Sequence, residues 1–318
     1  MSKPVNDIRD VSPAELGNSL QRLFPLLTVE RAQWVLGQLT ERVECKRIAE
    51  IIGVEATHSD APACTAIAVV QPANAASLLA IGSHAGARHA EYEVMGRLLE
   101  RLQNLGIRFL QATTDTEQDE QRLRRLGFEH LAKLAVMVLD AENFSLAEGK
   151  SRSTLLFQPV DGDPEMVARV CHTAELSFVE TSDCPRLSRF RTPTEIVDGY
   201  RKTPTFDPGL WRLATLDGNP AGCLILTPHR VNSTFAEGRE SSVIEAIEIS
   251  YMGLVPKYRK RGLGHVLLNE AVAIARHQNA SRMVLAVDRE NSRAISLYRR
   301  NGWIEVTQES VWGMKIDP

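Results

Sequence analysis

The chain lacks the marks of several protein classes. None of its five cysteines (Cys45, Cys64, Cys171, Cys184, Cys223) stands in a CxxC pair, and none joins a His/Cys cluster at zinc spacing. An odd set without such spacing reads as reduced thiols, so no disulfide scaffold and no metal site are expected, and a cytoplasmic location is. No apolar run approaches the ~18 residues of a membrane helix, so no membrane partner is expected either. The amino terminus, MSKPVNDIRDVSPAEL, has no apolar core, and no secretory signal is expected there. An excess of positive charge is missing too: the formal net charge is −3, which argues against a dedicated nucleic-acid binder. With 43% hydrophobic and 24% charged residues, the composition is that of a folded globular protein, not a disordered or collagenous one.

What is present is a long chain that repeats itself. A length of 318 residues favours two domains. The stretch Leu98–Leu131 (LLERLQNLGIRFLQATTDTEQDEQRLRRLGFEHL) and the stretch Leu267–Val306 share one rhythm. Each reads as an apolar-periodic helix, a strand, a polar turn, a short helix, then Gly-aromatic and another strand. The period of about 170 residues is far too long for a solenoid and points to two copies of one domain. A polar, small-residue stretch at Asp140–Thr154 reads as the linker, giving expected domains at 1–148 and 149–318.

The second half is the more legible. Thr154–Val160 alternates like a strand, and Asp163-Pro164-Glu165 opens a helix with an N-cap, a proline and an acid in the first turn. That helix is expected to reach Val179, followed by a loop at Thr181–Pro193 and a second helix at Thr194–Lys202. Trp211–His229 reads as a hairpin turning at Asp217-Gly218-Asn219-Pro220. Then follow a β-rich segment (Ser242–Val255), an amphipathic helix (Gly262–His277), a strand (Arg282–Val287), a helix (Ser292–Arg300) and a final strand from Trp303. The order β-α-α-β-β-β-α-β-α-β implies an α/β or α+β layer fold on a mixed sheet.

Ile247–Leu268 (IEISYMGLVPKYRKRGLGHVLL) carries the chemistry. A strand ends at Pro256, a basic turn follows, and Gly262-Leu263-Gly264 opens a helix. Unsatisfied amides, a helix dipole and basic side chains together make a diphosphate cradle. The plainer alternative is a solvated basic turn with a glycine N-cap. A Walker loop is excluded because GxxxxGK[ST] is absent, and a dinucleotide fingerprint lacks its third glycine.

Arg259-Lys260-Arg261-Gly262-Leu263-Gly264 has the form Q/R-x-x-G-x-G/A, and Val287–Tyr298 followed by Gly302-Trp303 has the form VDxxNxxAxxLYxxxGF. In both motifs, in this order, Thr154–Ile316 resembles the GNAT family of N-acetyltransferases. The resemblance implies two tandem GNAT-like domains, each a mixed, mostly antiparallel sheet flanked by helices. It implies acetyl-CoA as co-substrate and a small-molecule or peptide amine as acceptor. Oligomeric state stays open, a homodimer included. Arg259, Lys260, Arg261, Gly262, Leu263, Gly264 and the adjoining His265 are implied to hold the CoA pyrophosphate. Met252 and Leu254, on a strand implied to splay from its neighbour, are implied to offer amides to the pantetheine arm, and Gly253 between them fits close approach of a ligand. Asn291 matches the family asparagine near the cofactor arm and reads equally as a helix N-cap. Tyr298 matches the tyrosine that protonates the leaving thiolate, with a core aromatic as the alternative.

The base is less marked. Glu248 lies four residues before Met252, on the same strand face by simple alternation, and is the first candidate, acting directly or through a water. Glu245 is the second. The glutamate that many relatives carry in the following strand is replaced by Ala286. The acceptor loop Thr181–Lys202 holds Asp183, Cys184, Arg186, Arg189 and Arg191; its arginines suit an acidic acceptor or simply a solvated loop, and Cys184 reads as a bystander.

In the first half, Leu123 stands where Tyr298 does and Thr116 where Asn291 does. Its loop position, Ala90–Met95, has no Gly-x-Gly and carries two glutamates. The first half therefore reads as a degenerate copy, and the layout resembles that of mycothiol synthase. The competing functions are a non-catalytic acyl-CoA-binding or regulatory module and, against the net charge, a nucleic-acid binder.

Overall fold

The computed structural model describes residues 7–44, 47–58, 61–84, 87–144, 155–203, 205–234 and 240–317. Most of the expected linker, residues 145–154, lies outside them. The chain forms two compact units, one made of Met1–Leu131 with Ser310–Pro318 and the other of Ala132–Glu309. Both are mixed, mostly antiparallel sheets flanked by helices.

The first unit runs β1 (Asp7–Val11), α1 (Leu16–Leu23), α2 (Val29–Glu44), β2 (Ile51–His58), β3 (Ala61–Gln71), β4 (Ala75–Ser83), α3 (Arg88–Asn104), β5 (Phe109–Thr114) and α4 (Glu117–Arg125). Strands β1 to β4 are antiparallel neighbours, β5 lies parallel to β4, and Ser310–Lys315 closes the sheet antiparallel to β5. Leu98 and Leu102 of α3 pack with Leu110 and Trp312 on one face. Leu23, Val35 and Leu39 of α1 and α2 cover Ile67 and Leu79 on the other.

The second unit takes up β6 (Glu129–Asp140) from Ala132 onward, then β7 (Leu156–Pro159), α5 (Pro164–Ser177), α6 (Pro193–Arg201), β8 (Arg212–Leu216), β9 (Asn219–Thr234), β10 (Glu240–Leu254), α7 (Leu263–His277), β11 (Arg282–Asp288), α8 (Ser292–Arg300) and the start of β12 (Ile304–Lys315). Its strands β7 to β10 are antiparallel neighbours, β11 lies parallel to β10, and β6 closes the sheet antiparallel to β11. The two units thus repeat one order, and each takes its sixth strand from the other half of the sequence. The expected element order of the second half is the observed one. The pairing of its last strand is what differs: Ser310–Lys315 lies on β5, while β6 lies on β11.

Local chemistry sets the second unit's elements. The Asp163 carboxylate accepts the Glu165 N–H at 3.0 Å, and Pro164 fills the first helical position, so α5 starts where the sequence says. It stops at Ser177, two residues before the expected end. A capping box between Thr192 and Glu195 starts α6. Asp217 and Gly218 both adopt the left-handed conformation that a two-residue hairpin turn needs (φ 51° and 76°). Leu267, Leu268, Ala271, Val272, Ile274 and Ala275 form the buried stripe of α7.

Candidate active site

Strands β10 and β11 pair over only three residues, Ala246–Glu248 against Arg282–Val284. Beyond that point β10 continues to Leu254 and β11 to Asp288 without pairing to each other. The two parallel strands therefore splay, and the edge of β10 past Glu248 is open. The Val255 N–H bonds the Ala221 carbonyl on β9 at 3.0 Å. Alternation along the strand then turns the amides of Leu254 and Met252 away from β9, into the opening.

The turn after β10 has unusual backbone geometry. Lys260 and Gly262 both take positive φ (62° and 78°), two residues apart. The Arg259 N–H is used, on the Pro256 carbonyl at 3.1 Å, and the His265 N–H closes onto the Gly262 carbonyl at 3.2 Å. Between them, the N–H groups of Lys260, Arg261, Gly262, Leu263 and Gly264 have no hydrogen-bond acceptor among the described residues. Such a run of free amides at the start of α7, with the helix dipole behind it, has the chemistry to accept an anion. The exposed Lys260 and Arg261 raise the local positive potential. Gly264 lies beside α8: a Cβ there would make ordinary contact with Leu297, at 3.5 Å.

Helix α8 faces the same opening from the other side. Asn291 is its N-cap: the side-chain oxygen accepts the Ala294 N–H at 3.2 Å. Tyr298 is 7% exposed, packed in the core with Ile295 and against the Trp303 ring at 5.7 Å. Burial, and then the charge of Asp183, push its phenol pKa up, so it stays protonated at neutral pH.

The loop after α5 closes the mouth at the end of β11. The Asp288 N–H donates to Asp183 Oδ1 at 2.9 Å, and in return the Cys184 N–H donates to Asp288 Oδ2 at 3.0 Å. Cys184 turns sharply there, with φ 46°. Burial first, then Asp183 and Asp288, push the Cys184 thiol up, so it remains protonated. Tyr200 of α6 and Tyr251 of β10 line the same side; the Tyr251 hydroxyl meets Ser177 Oγ at 2.6 Å.

Residues 179–303, which hold β10, the glycine turn, α7, β11 and α8, match the model of the Acetyltransferase (GNAT) family. This segment, 125 of the 318 residues, is similar to that family. A curated relative, mycothiol acetyltransferase of Beutenbergia cavernae, is 31% identical over 109 residues, covering 34% of this chain and 33% of that protein. The match thus spans about a third of the relative's own length. The crystal structure of a GCN5-related N-acetyltransferase from Sphaerobacter thermophilus superposes with a TM-score of 0.58 at 17% identity, covering 98% of this chain and 96% of the other. A tandem GNAT protein from the clavulanic acid biosynthesis pathway gives 0.53 at 12% identity, over 98% and 99%. These two share the fold.

Within this site the sequence-derived residues fall as follows. Met252, Leu254, Lys260, Arg261, Gly262, Leu263 and Gly264 lie along one continuous edge and turn, as their spacing implies. Arg259 has a different occupation. Its Nε donates to the Leu254 carbonyl at 2.9 Å, Nη1 to the Glu180 carbonyl at 3.0 Å and Nη2 to the Ser177 carbonyl at 2.7 Å. The guanidinium therefore fastens the end of α5 to the end of β10, and only the backbone of Arg259 belongs to the turn. Gly253 also has another reason than ligand approach: a Cβ there would lie 2.5 Å from Ser177 Oγ and 2.6 Å from the Tyr251 hydroxyl.

Glu248 does not share a face with Met252. A bulge between Ile249 and Tyr251 inserts one residue, Ser250, and reverses the alternation. Ile247, Ile249 and Met252 pack on the α7 side, whereas Tyr251 packs on the α5 side, which is also the side of Glu248. There the Glu248 carboxylate bonds His229 Nε2 at 2.9 Å, about a third exposed at 37%. Glu245 is exposed at a second bulge, on the far side of the paired segment from the opening. Arg191 turns to α6 and donates to the Glu195 carbonyl at 2.7 Å, while Arg186 and Arg189 are exposed. Asp288, whose carboxylate builds the loop, stands in the Val287–Tyr298 motif but had no role assigned to it, and no sequence signal marked Ser177 or Tyr251.

The first unit keeps the splay and not the cradle. Strands β4 and β5 pair in parallel over Ala75–Leu78 against Phe109–Ala112, and β4 runs on to Ser83. Thr116 caps α4 as Asn291 caps α8. At the start of α3, however, Glu91 is 3% exposed and holds Ser83 Oγ at 2.6 Å and Arg122 Nε at 3.1 Å. An internal carboxylate sits in that helix's first turn. Leu23 and Leu26 press on the end of β4, where a Cβ on Gly82 would lie 2.8 Å from Leu23.

Among the described residues, no group of three or more His, Cys, Asp or Glu side chains could hold a metal, and no helix is long and apolar enough to cross a membrane.

Proposed function

We propose that this protein is a cytoplasmic N-acetyltransferase that moves an acetyl group from acetyl-CoA to a primary amine by direct attack, without a covalent enzyme intermediate. The observation that carries this reading is the run of five free amides, Lys260 to Gly264, at the end of an open strand edge. That surface fits a diphosphate followed by an amide-bearing arm: anion site and extended hydrogen-bonding edge are contiguous. Acetyl-CoA supplies the thioester that the amine attacks.

The residues of the chain do the rest. The amides of Lys260 to Gly264 bind phosphate oxygens, with Lys260 and Arg261 adding charge and His265 adjoining. Met252 and Leu254 offer backbone groups to the pantetheine arm. Asn291 fixes the start of α8 and thereby the position of Tyr298. The Tyr298 hydroxyl, kept protonated by burial, gives its proton to the departing sulfur. Tyr200, Tyr251, Glu248 and the Thr181–Arg191 loop line the acceptor side.

The test is CoA-thiol release from acetyl-CoA in the presence of a panel of primary amines, with wild type and Tyr298→Phe. Wild-type release with at least one amine, falling by about 10²-fold or more in the variant at unchanged acetyl-CoA affinity, is expected. Release indifferent to Tyr298 contradicts the assigned acid.

A further inference from the structure

We propose that Asp183 is the catalytic base of this site: its free carboxylate oxygen takes a proton from the acceptor's ammonium group before the nitrogen attacks. The proposal rests on the acyl-transfer reading above and names a residue that no family motif in this chain marks.

Three observations lead to it. The first is position. Asp183 is held against the end of β11 by the Asp288 N–H on Oδ1, at 2.9 Å, and its own N–H bonds Thr181 Oγ1 at 3.0 Å. The reciprocal bond from the Cys184 N–H to Asp288 locks the same loop. The carboxylate is thereby fixed at the mouth of the β10–β11 splay, on Asp288, which stands three residues before the Asn291 cap of α8. The second is partnership. Asp183 has no ion-pair partner among the described residues, and its Oδ2 accepts no hydrogen bond there. Glu248, the rival, is bonded to the His229 ring. A partly buried carboxylate without a counter-ion is complementary to an incoming cation. The third is surroundings. Burial holds the Asp183 pKa above the ordinary carboxylate range; the Asp288 N–H on its oxygen pulls the other way, and the Asp288 charge adds a smaller push upward. The phenols of Tyr298, Tyr200 and Tyr251 are raised first by burial and feel the Asp183 charge as well, so this carboxylate sits among the site's hydroxyls. A base so raised is better matched to an amine than an ordinary aspartate.

The proton balance closes. The N–H bond of R–NH3+ breaks and an O–H bond forms on Asp183, leaving a neutral amine. Its lone pair forms the C–N bond at the thioester carbonyl. As the C–S bond breaks, Tyr298 gives its proton to sulfur and recovers one from the new C–N nitrogen. Asp183 then releases its proton to water.

Asp183→Asn is the test variant, because an asparagine oxygen still accepts the Asp288 N–H and preserves the loop. The charged and titrating groups facing Asp183 are Asp288, Cys184, Tyr200, Tyr251 and Tyr298, with Glu248, His229 and Arg191 around Tyr200. Two readouts are used. Carboxyl carbon NMR titration, wild type against Asp183→Asn, needs no acceptor; a carboxyl titrating well above ~4 and absent from the variant is expected. A value at or below ~4 overturns the proposal. Acetyl transfer to ethylamine, glucosamine, lysine amide and spermidine gives kcat/KM against pH. Loss of about 10²-fold and of the acid limb in Asp183→Asn, with acetyl-CoA binding intact, is expected. Retention of that limb in Asp183→Asn, its loss in Glu248→Gln alone, or binding of acetyl-CoA by wild type without transfer to any of the four amines overturns it. Failure of wild type to bind acetyl-CoA would instead bring down the acyl-transfer reading itself.

Discussion

Asp183 and Tyr298 lie in the same opening with pKa values displaced in the same direction for the same first reason, loss of solvation. The consequences differ by chemistry. A phenol pushed up stays neutral and costs nothing at neutral pH. A carboxylate pushed up sits in surroundings that disfavour its charge. Its folded pKa exceeds its unfolded one, so its ionisation lowers stability as pH rises from the unfolded value through the folded value, and below both it has no effect. Asp183→Asn is therefore expected to unfold at a higher temperature than wild type at pH 8, with the gain vanishing near pH 3.5. Thermal unfolding at the two pH values checks this, and a variant less stable at pH 8 contradicts it. Sites that store such cost are where function and stability trade against each other.

At the scale of elements, the guanidinium of Arg259 joins three carbonyls from two segments. Two of them, Ser177 and Glu180, lie at or just past the end of α5, where helix carbonyls lack partners. Hydrogen bonds to a charged donor are worth about 1.5–3 kcal/mol each, and they do not add simply. Arg259→Met is expected to cost about 2–4 kcal/mol in denaturant unfolding and to raise the KM for the amine more than for acetyl-CoA. Arg259→Lys recovers only part, since an ammonium cannot span three acceptors in the guanidinium's fixed fork. An unchanged amine KM in Arg259→Met would show that the fastening of α5 has no bearing on the acceptor side.

Elements are also where the sequence was most and least readable. Asp163-Pro164, Asp217-Gly218 and the apolar stripe of α7 each act through neighbours a few residues away, so their starts and turns could be placed from the chain alone. The bulge at Ser250 could not: no turn residue announces it, and one added residue moves Glu248 to the other face from Met252. The motif at Arg259–Gly264 points to the turn that carries the free amides but says nothing of where the Arg259 side chain goes. Its three acceptors come from residues 5, 79 and 82 positions away, beyond any local pattern.

Over the whole molecule, two copies of one order were legible as a repeat, and the exchange of their sixth strands was not. Strand pairing at long range leaves no periodicity to read. The exchange makes the end of the chain a core part of the amino-terminal unit: Trp312 is 1% exposed and packs with Leu98, Leu102 and Leu110. Trp312→Ala is expected to destabilise that unit by about 3–5 kcal/mol. Hydrogen exchange is expected to lose protection in α3 and β5 while β10 and α7 keep theirs; the reverse pattern would contradict the assignment of this strand.

The central claim is that the turn from Lys260 to Gly264 is an acyl-CoA phosphate site. Thermal unfolding in acetyl-CoA, wild type against Gly262→Glu, tests it most directly. A Cβ at Gly262 meets nothing within 4 Å, so the variant is expected to fold despite the strain of its φ of 78°. Its carboxylate would oppose a diphosphate. At a hundred times Kd, wild type should gain about 2.7 kcal/mol, and the variant nothing. A folded wild type indifferent to acetyl-CoA, or a variant stabilised equally, would contradict the account.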